Sequence, residues 1–373
     1  MTDNPTHPRF SAVSLPTNRV QNHASNLIAL PNGDILCVWF AGTMEGKSDI
    51  SVHMTRRRKG SSKWGAPLQL SNDSERSEQN PVLFLDPDGR LWLFYTAQPG
   101  GNQQQAFVRC RTSSDLGESW SEPRQMFDEL GLFVRQPVVV LDNNRWLLPV
   151  FYCNSRGGET WTGEHDHSAV KISHDRGMTW DEVAVPGSTG CVHMNILKRP
   201  DGQLVAFYRS RWADHIYRSI SNDAGRTWSP PSPTDLPNNN SSIQATTLKN
   251  GHIAMVFNRA SAMDATGRRT SLYDDLDEQS CAKEPPQSRA FWGAPRSPLS
   301  LALSLDGGKS WPKIVTIAEG DGYCLSNDSA SGVNRELSYP SIIQSEDGLL
   351  HISYTHHRKT IKYLCIDESD AFS

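Results

Sequence analysis

The sequence predicts an all-β, six-bladed β-propeller, on three observations. A turn-centred hairpin recurs six times, a tryptophan-bearing hairpin recurs four times in strict form, and no long stretch carries helical periodicity. The strict motif reads S-x-D-x-G-x-[ST]-W, at 113–120 (SSDLGESW), 173–180 (SHDRGMTW), 221–228 (SNDAGRTW) and 304–311 (SLDGGKSW). Its Asp accepts backbone N–H groups of its own turn, its Gly supplies the φ > 0 position, and its hydroxyl closes the hairpin. The Trp offers a large apolar surface to a neighbouring unit.

The six turn-centred hairpins fix the number of units. Their turns are Asn32-Gly33, Asp88-Gly89, Asn143-Asn144, Asp201-Gly202, Asn250-Gly251 and Asp347-Gly348, each between two apolar strands. Five of them precede a second hairpin that ends on Trp64, Trp120, Trp180, Trp228 or Trp311; the first, HMTRRRKGSSKW, lacks the Asp and the Gly. Two hairpins make a four-stranded blade, and six blades make one domain spanning residues 1–373. The sixth blade has no tryptophan hairpin of its own. The N-terminal strand near residues 10–15 is expected to complete it, closing the ring and removing an open edge. Residues 260–295 form a long polar insertion, expected as a loop over one face.

Composition narrows the function. A net charge of −4 gives no positive field for nucleic acid or a membrane surface, and no apolar run reaches transmembrane length. The seven cysteines contain no C-x-x-C pair, so neither a metal site nor a disulfide framework is expected, and no cofactor is implied. The N-terminus lacks the basic and apolar regions of a secretory leader, which makes the expected compartment cytoplasmic.

In a propeller the innermost strands begin at one mouth. Counting nine or ten residues back from each turn places His23, Gln79 and Asn80, Arg135, His193, Ser241 and Ser242, and Ser338 and Tyr339 there. A structural position would repeat one small or apolar residue. Varied groups that donate, accept and titrate point instead to a binding site.

Four such hairpins on six blades resemble the sialidase (neuraminidase) superfamily of BNR-repeat proteins. Pro295-Arg296 ahead of the last box resembles the sialidase segment with an arginine in that place. Leu337-Ser-Tyr339-Pro resembles the segment of the nucleophilic tyrosine, and Phe207-Tyr-Arg209-Ser that of another carboxylate-binding arginine. The resemblance implies roles for Arg209, Arg296 and Tyr339. Three family positions differ. Asn22-His23 stands where the family's arginine-isoleucine-proline signature begins, and His193, near Asn195, stands where its tyrosine-assisting glutamate is expected. The acid loop offers only Glu45 and Asp49 in AGTMEGKSD.

These residues suit an enzyme acting on an acidic sugar. Arg209 and Arg296, with Arg135, Gln79, Asn80, Asn195 and Ser241, would bind the substrate; Tyr339, His193, His23, Glu45 and Asp49 would react. Histidines near neutrality suit acid–base work. Glycoside hydrolysis would use Tyr339 as nucleophile with Glu45 or Asp49 as acid. Elimination from a uronate would use arginine to neutralise the carboxylate and Tyr or His to remove the α-proton. A non-catalytic glycan- or protein-binding propeller is the third reading. In the enzymatic readings ordinary sialosides are expected to be poor substrates.

Overall fold

The computed structural model describes residues 10–157, 161–276 and 288–372. They form six antiparallel sheets. The first four-stranded blade is Gln21–Ala29, Ile35–Gly42, Ser51–Arg57 and Leu68–Gln69. The sixth is Leu337–Gln344, Leu350–His356 and Thr360–Ile366, completed by Val13–Ser14 from the N-terminus. Val13 pairs with Tyr363 and Ser14 with Lys362, so the two ends of the chain share one sheet as expected. Blade three is the irregular one. Its inner strand is broken into Leu132–Val134 and Val139–Val140, both paired with Trp146–Tyr152. Pro137 falls in the gap, where it cannot donate to the ladder.

The apolar core lies between blades. Trp120 of blade two packs with Leu36, Val38 and Leu91 across the first interface, and Trp228 packs with Leu147 and Ile172 across the third. Trp64 packs beside Tyr363 with their ring centroids 4.9 Å apart, joining blade one to blade six. Each tryptophan hairpin thus fastens its blade to the preceding one, and the sixth interface closes the circle. Polar ties reinforce this near the axis. Asn26 Oδ1 accepts from Leu83 N at 2.9 Å, Asn195 Oδ1 from Ala245 N at 2.6 Å and Ser341 Oγ from Leu27 N at 3.0 Å.

The four boxes share one hydrogen-bond pattern. In the last, Ser304 Oγ accepts from Gly308 N at 2.7 Å and donates to Asp306, whose carboxylate also takes Ser310 N at 3.0 Å and Ser310 Oγ at 2.6 Å. Ser304 pairs across from Ile253, at the start of the second strand. The boxes therefore sit on the face away from the starts of the inner strands, where their role is structural. Ser304→Ala would leave the buried Gly308 N–H without a partner, which costs about 1–3 kcal/mol. It should lower the melting temperature and leave the arrangement of the mouth in the folded fraction unchanged; an unchanged melting temperature would contradict the structural role.

The 260–295 excursion leaves blade five after Ile253–Asn258 and returns at Leu299–Ser304, which is the mouth end of those strands. Residues 277–287 of it lie outside the described residues. The described part crosses the mouth. Leu272 packs with Phe133, Phe151 and Val192 from blades three and four. The Tyr273 hydroxyl accepts from Gln98 at 2.7 Å and Gln103 at 3.3 Å in blade two. Arg269 holds the segment together through Asp274, Asp275 (2.7 Å) and Asn327 (3.0 Å).

Candidate active site

A backbone device repeated in four blades builds the mouth. The inner-strand registers shift between His23 and Asn26, Gln79 and Val82, Val192 and Asn195, and Ser338 and Ser341. The first bulged residue in each case has positive φ: Ala24 (58°), Asn80 (52°), His193 (55°) and Tyr339 (50°). A bulge turns one side chain out of the pleat and into the channel. Left-handed backbone at a histidine and a tyrosine costs of order 1–3 kcal/mol each and persists where the surroundings enforce it. Ala24, not His23, holds the equivalent place in blade one; His23 enters from the preceding residue.

Tyr339 is the centre. Its hydroxyl accepts a hydrogen bond from Arg209 Nη1 at 2.6 Å. Arg209 is fixed in turn by Nε donating to Asn240 Oδ1 at 2.8 Å, and its Nη1 lies 3.5 Å from His193 Nε2. The Tyr339 ring lies 4.2 Å from the His23 ring and 5.8 Å from that of His193, centroid to centroid. The guanidiniums of Arg135, Arg209 and Arg296 stand 5.3, 5.6 and 5.6 Å from it. The fold therefore brings His23, Arg135, His193, Arg209, Arg296 and Tyr339 into one buried pocket.

Other residues of the predicted set do different work. Arg135 donates to the carbonyls of Ser25 (3.1 Å), Tyr339 (3.3 Å) and Pro340 (3.3 Å) and to Ser242 Oγ (3.1 Å). It clamps the bulges of blades one and six from beneath, leaving little of its fork for a ligand. Asn195 is occupied by its tie to blade five. Asp49 accepts from Thr43 N and Oγ1, both at 2.9 Å, and caps its own exposed loop. Gln79 donates to Ser77 Oγ at 2.8 Å and lies 3.5 Å from the Tyr273 hydroxyl under the crossing segment. Asn80 is buried at its bulge and Ser241 is buried with its hydroxyl unpartnered.

Glu336 has no signal in the sequence, whereas Arg358, with Lys362 in THHRKTIKY, reads there as positive charge that could stand near the mouth. Glu336 is buried between Arg296 Nη1 (2.6 Å) and Arg358 Nε (2.6 Å), and lies 3.5 Å from His23 Nδ1. Arg358 also donates to Glu45. It enters from the 357–359 turn of blade six, where His357 and Arg358 both have positive φ (54° and 52°). A pocket position lacking an arginine in blade one is thus next to one supplied from blade six. The sequence marks it only as part of a basic run, THHRKTIKY.

The charges do not balance. Among the described residues of the pocket, Arg135, Arg209, Arg211, Arg296 and Arg358 meet Glu45, Glu336 and Asp166, the last paired with Arg211 at 2.7 Å. Burial pushes Arg209 down to about 9 and Arg135 to about 10, as an uncompensated buried cation requires. Among the described residues, several buried polar atoms have no hydrogen-bond partner: Arg209 Nη2, Arg296 Nε, His193 Nδ1 and both ring nitrogens of His23. Burial opposes the Glu336 carboxylate's charge, yet Arg296 and Arg358 together hold it below the usual range. A groove of about 780 Å3 between the rims of blades one and two is of another kind, since its Arg109 is already paired with Asp73 (2.8 Å) and Glu78 (3.0 Å).

Both pocket histidines depart from the expectation of titration near neutrality. Burial, then Arg358 and Arg296 for His23 and Arg209 and Arg211 for His193, hold them well below the ordinary imidazole value. They are neutral rings at pH 7. The unfolded chain binds these protons below about pH 6.5 and the folded chain does not, so stability is full above that pH and falls as the pH drops. Each such ring removes up to about 1.4 kcal/mol per pH unit. The melting temperature should therefore decline steadily from pH 7 to pH 5, before the carboxylates titrate, and a flat profile over that range would contradict the assignment.

Comparison with known proteins places the chain. Residues 33–352 match the BNR repeat-like domain family, and the chain belongs to it. No curated protein matches the sequence. Among solved structures, the chain resembles the Hadza microbial sialidase Hz136, with TM-score 0.69, 14% identity, and coverage of 95% of this chain and 67% of that one. It also resembles a Dyadobacter fermentans protein of unknown function (TM-score 0.68, 15% identity, coverage 96% and 98%). A third is the intramolecular trans-sialidase from Ruminococcus gnavus (TM-score 0.65, 14% identity, coverage 94% and 95%). The shared property is the sialidase-like six-bladed fold.

Proposed function

We propose that this propeller is a carbohydrate-active enzyme that cleaves a glycosidic bond beside the carboxylate of an acidic sugar. The observation that carries the reading is that two guanidiniums with unpartnered buried donors, Arg209 Nη2 and Arg296 Nε, both stand 5.6 Å from the Tyr339 ring, in a pocket with excess positive charge. A carboxylate there gains charge-assisted hydrogen bonds and offsets the buried cations. Tyr339, with Arg209 stabilising charge on its oxygen, is the group that reacts. Solved sialidases of the same fold support a carbohydrate substrate.

Sialic acid itself fits this pocket poorly. Arg358, the cation that acts most strongly on His23, already serves Glu336 and Glu45, and Arg296 shares Glu336, so Arg209 carries most of the free capacity. The test is a panel of acidic glycosides, ulosonates and hexuronates, against their neutral counterparts. Turnover confined to acidic sugars, with sialosides slow, is the expected result. Turnover of neutral sugars alone, or brisk hydrolysis of a fluorogenic sialoside, would overturn the reading.

A further inference from the structure

The reaction type follows from which proton-carrying groups the pocket leaves free. Hydrolysis with a tyrosine nucleophile needs an acid to protonate the departing oxygen. Among the described residues, the pocket carboxylates are all engaged: Glu336 by Arg296 and Arg358, Glu45 by Arg358, and Asp166 by Arg211 and the Trp161 indole at 2.9 Å. Glu336 is held ionised by its two arginines, and Asp49 caps its own loop. Among the described residues a different set stays free: a neutral imidazole, a phenol whose oxygen accepts from Arg209 and whose proton is given to no described acceptor, and the open Nη2 edge of Arg209.

That set is suited to removing a proton from carbon. His193 and Tyr339 flank the same guanidinium, at 3.5 and 2.6 Å. A carboxylate seated on Nη2 would lie on the guanidinium that both groups flank. The guanidinium lowers the cost of charge that builds on the carboxylate as that proton leaves, and a neutral imidazole can take it.

We propose, on the reading that the pocket binds an acidic sugar, that the bond is broken by β-elimination in a 4-O-linked hexuronate. Arg209 holds the carboxylate, His193 takes the carbon-5 proton, and Tyr339 gives its phenol proton to the departing oxygen. The C5–H electron pair becomes the C4=C5 double bond. The C4–O bond breaks with its pair going to oxygen, which leaves as an alcohol carrying the tyrosine's proton. Transfer of the proton from His193 to the Tyr339 oxygen, directly or through solvent, restores both groups. Nothing is oxidised or reduced, and no water is consumed.

The experiment uses the wild-type chain with 4-O-linked hexuronate oligosaccharides and, separately, 1-O-aryl hexuronides, in water enriched in oxygen-18. The expected products are unsaturated uronates that absorb in the near ultraviolet and contain no heavy oxygen, with no aryl group released. Heavy oxygen in a saturated product, or release of the aryl group, would overturn elimination and leave the acidic-sugar reading standing. Turnover of other acidic glycosides but not of 4-O-linked hexuronates would overturn this substrate class alone. Failure to turn over any acidic glycoside would overturn both. In deuterated water, Tyr339→Phe is expected to exchange the carbon-5 hydrogen while His193→Gln does not, with melting temperatures verifying that both variants fold. Equal exchange by the two would contradict the assigned roles.

Discussion

Tyr339→Phe is expected to lower turnover of an acidic glycoside by about 10²–10⁴-fold, the range for removal of a positioned proton-transfer group. Among the described residues, the hydroxyl's hydrogen bond is the one it accepts from Arg209. The ring stays packed with Ala24, Phe40 and Ile50 and against His23, and phenylalanine keeps that packing. The melting temperature should hardly change. Loss of turnover in a fully folded variant separates a reacting hydroxyl from a structural one, and undiminished turnover would remove Tyr339 from the chemistry.

Arg209→Lys should weaken catalysis nearly as much, by a different route. The guanidinium makes two directed contacts, to Asn240 and to Tyr339, and leaves Nη2 for the carboxylate of the proposed substrate. An ammonium is a single point charge and cannot hold that geometry. Breaking a buried charge-assisted contact costs roughly 2–5 kcal/mol, or about one and a half to three and a half orders of magnitude in kcat/KM. Both constants should move, KM through lost carboxylate binding and kcat through the phenol oxygen left without its donor. Kinetics within threefold of the wild type would show that the carboxylate binds elsewhere.

The fold is legible in the sequence because its determinants are local. Asp306 and Gly308 define a turn within a few residues, and Asn32-Gly33 or Asp347-Gly348 defines a hairpin, so six copies can be counted without knowing any long-range contact. Closure by the N-terminal strand followed from the missing tryptophan hairpin alone, and Val13 opposite Tyr363 confirms it. The site is less legible because its geometry depends on departures from regular strands. A one-residue difference in where the bulge falls makes Ala24, not His23, the partner of Tyr339 and His193 in their blades.

Residues whose roles come from long-range packing escape pattern reading altogether. Glu336 reads as an ordinary residue before a strand, yet it sits between two arginines from different parts of the chain. Arg358 reaches it only through a turn in which two non-glycine residues take the left-handed conformation. Tyr273 and Leu272 lie in a polar stretch without periodicity, and only the three-dimensional fold brings them against blades two, three and four. Arg135 does stand near the axis, as the hairpin register implies, and Asn195 stands near it too, but their hydrogen bonds join blades together. The titration of His23 and His193 is likewise set by burial and by arginines distant in sequence.

The central claim is that the pocket around Tyr339 recognises a carboxylate and acts on the sugar that carries it. The most direct measurement compares kcat/KM for one acidic oligosaccharide before and after its carboxyl groups are reduced to primary alcohols. Reduction leaves ring and linkage in place and removes only the group that Arg209 and Arg296 would hold. Loss of that charge-assisted contact alone predicts a fall of at least about one and a half orders of magnitude, and elimination, which needs the carboxylate to acidify carbon 5, predicts complete loss. Equal turnover of the acid and its reduced form would contradict the account.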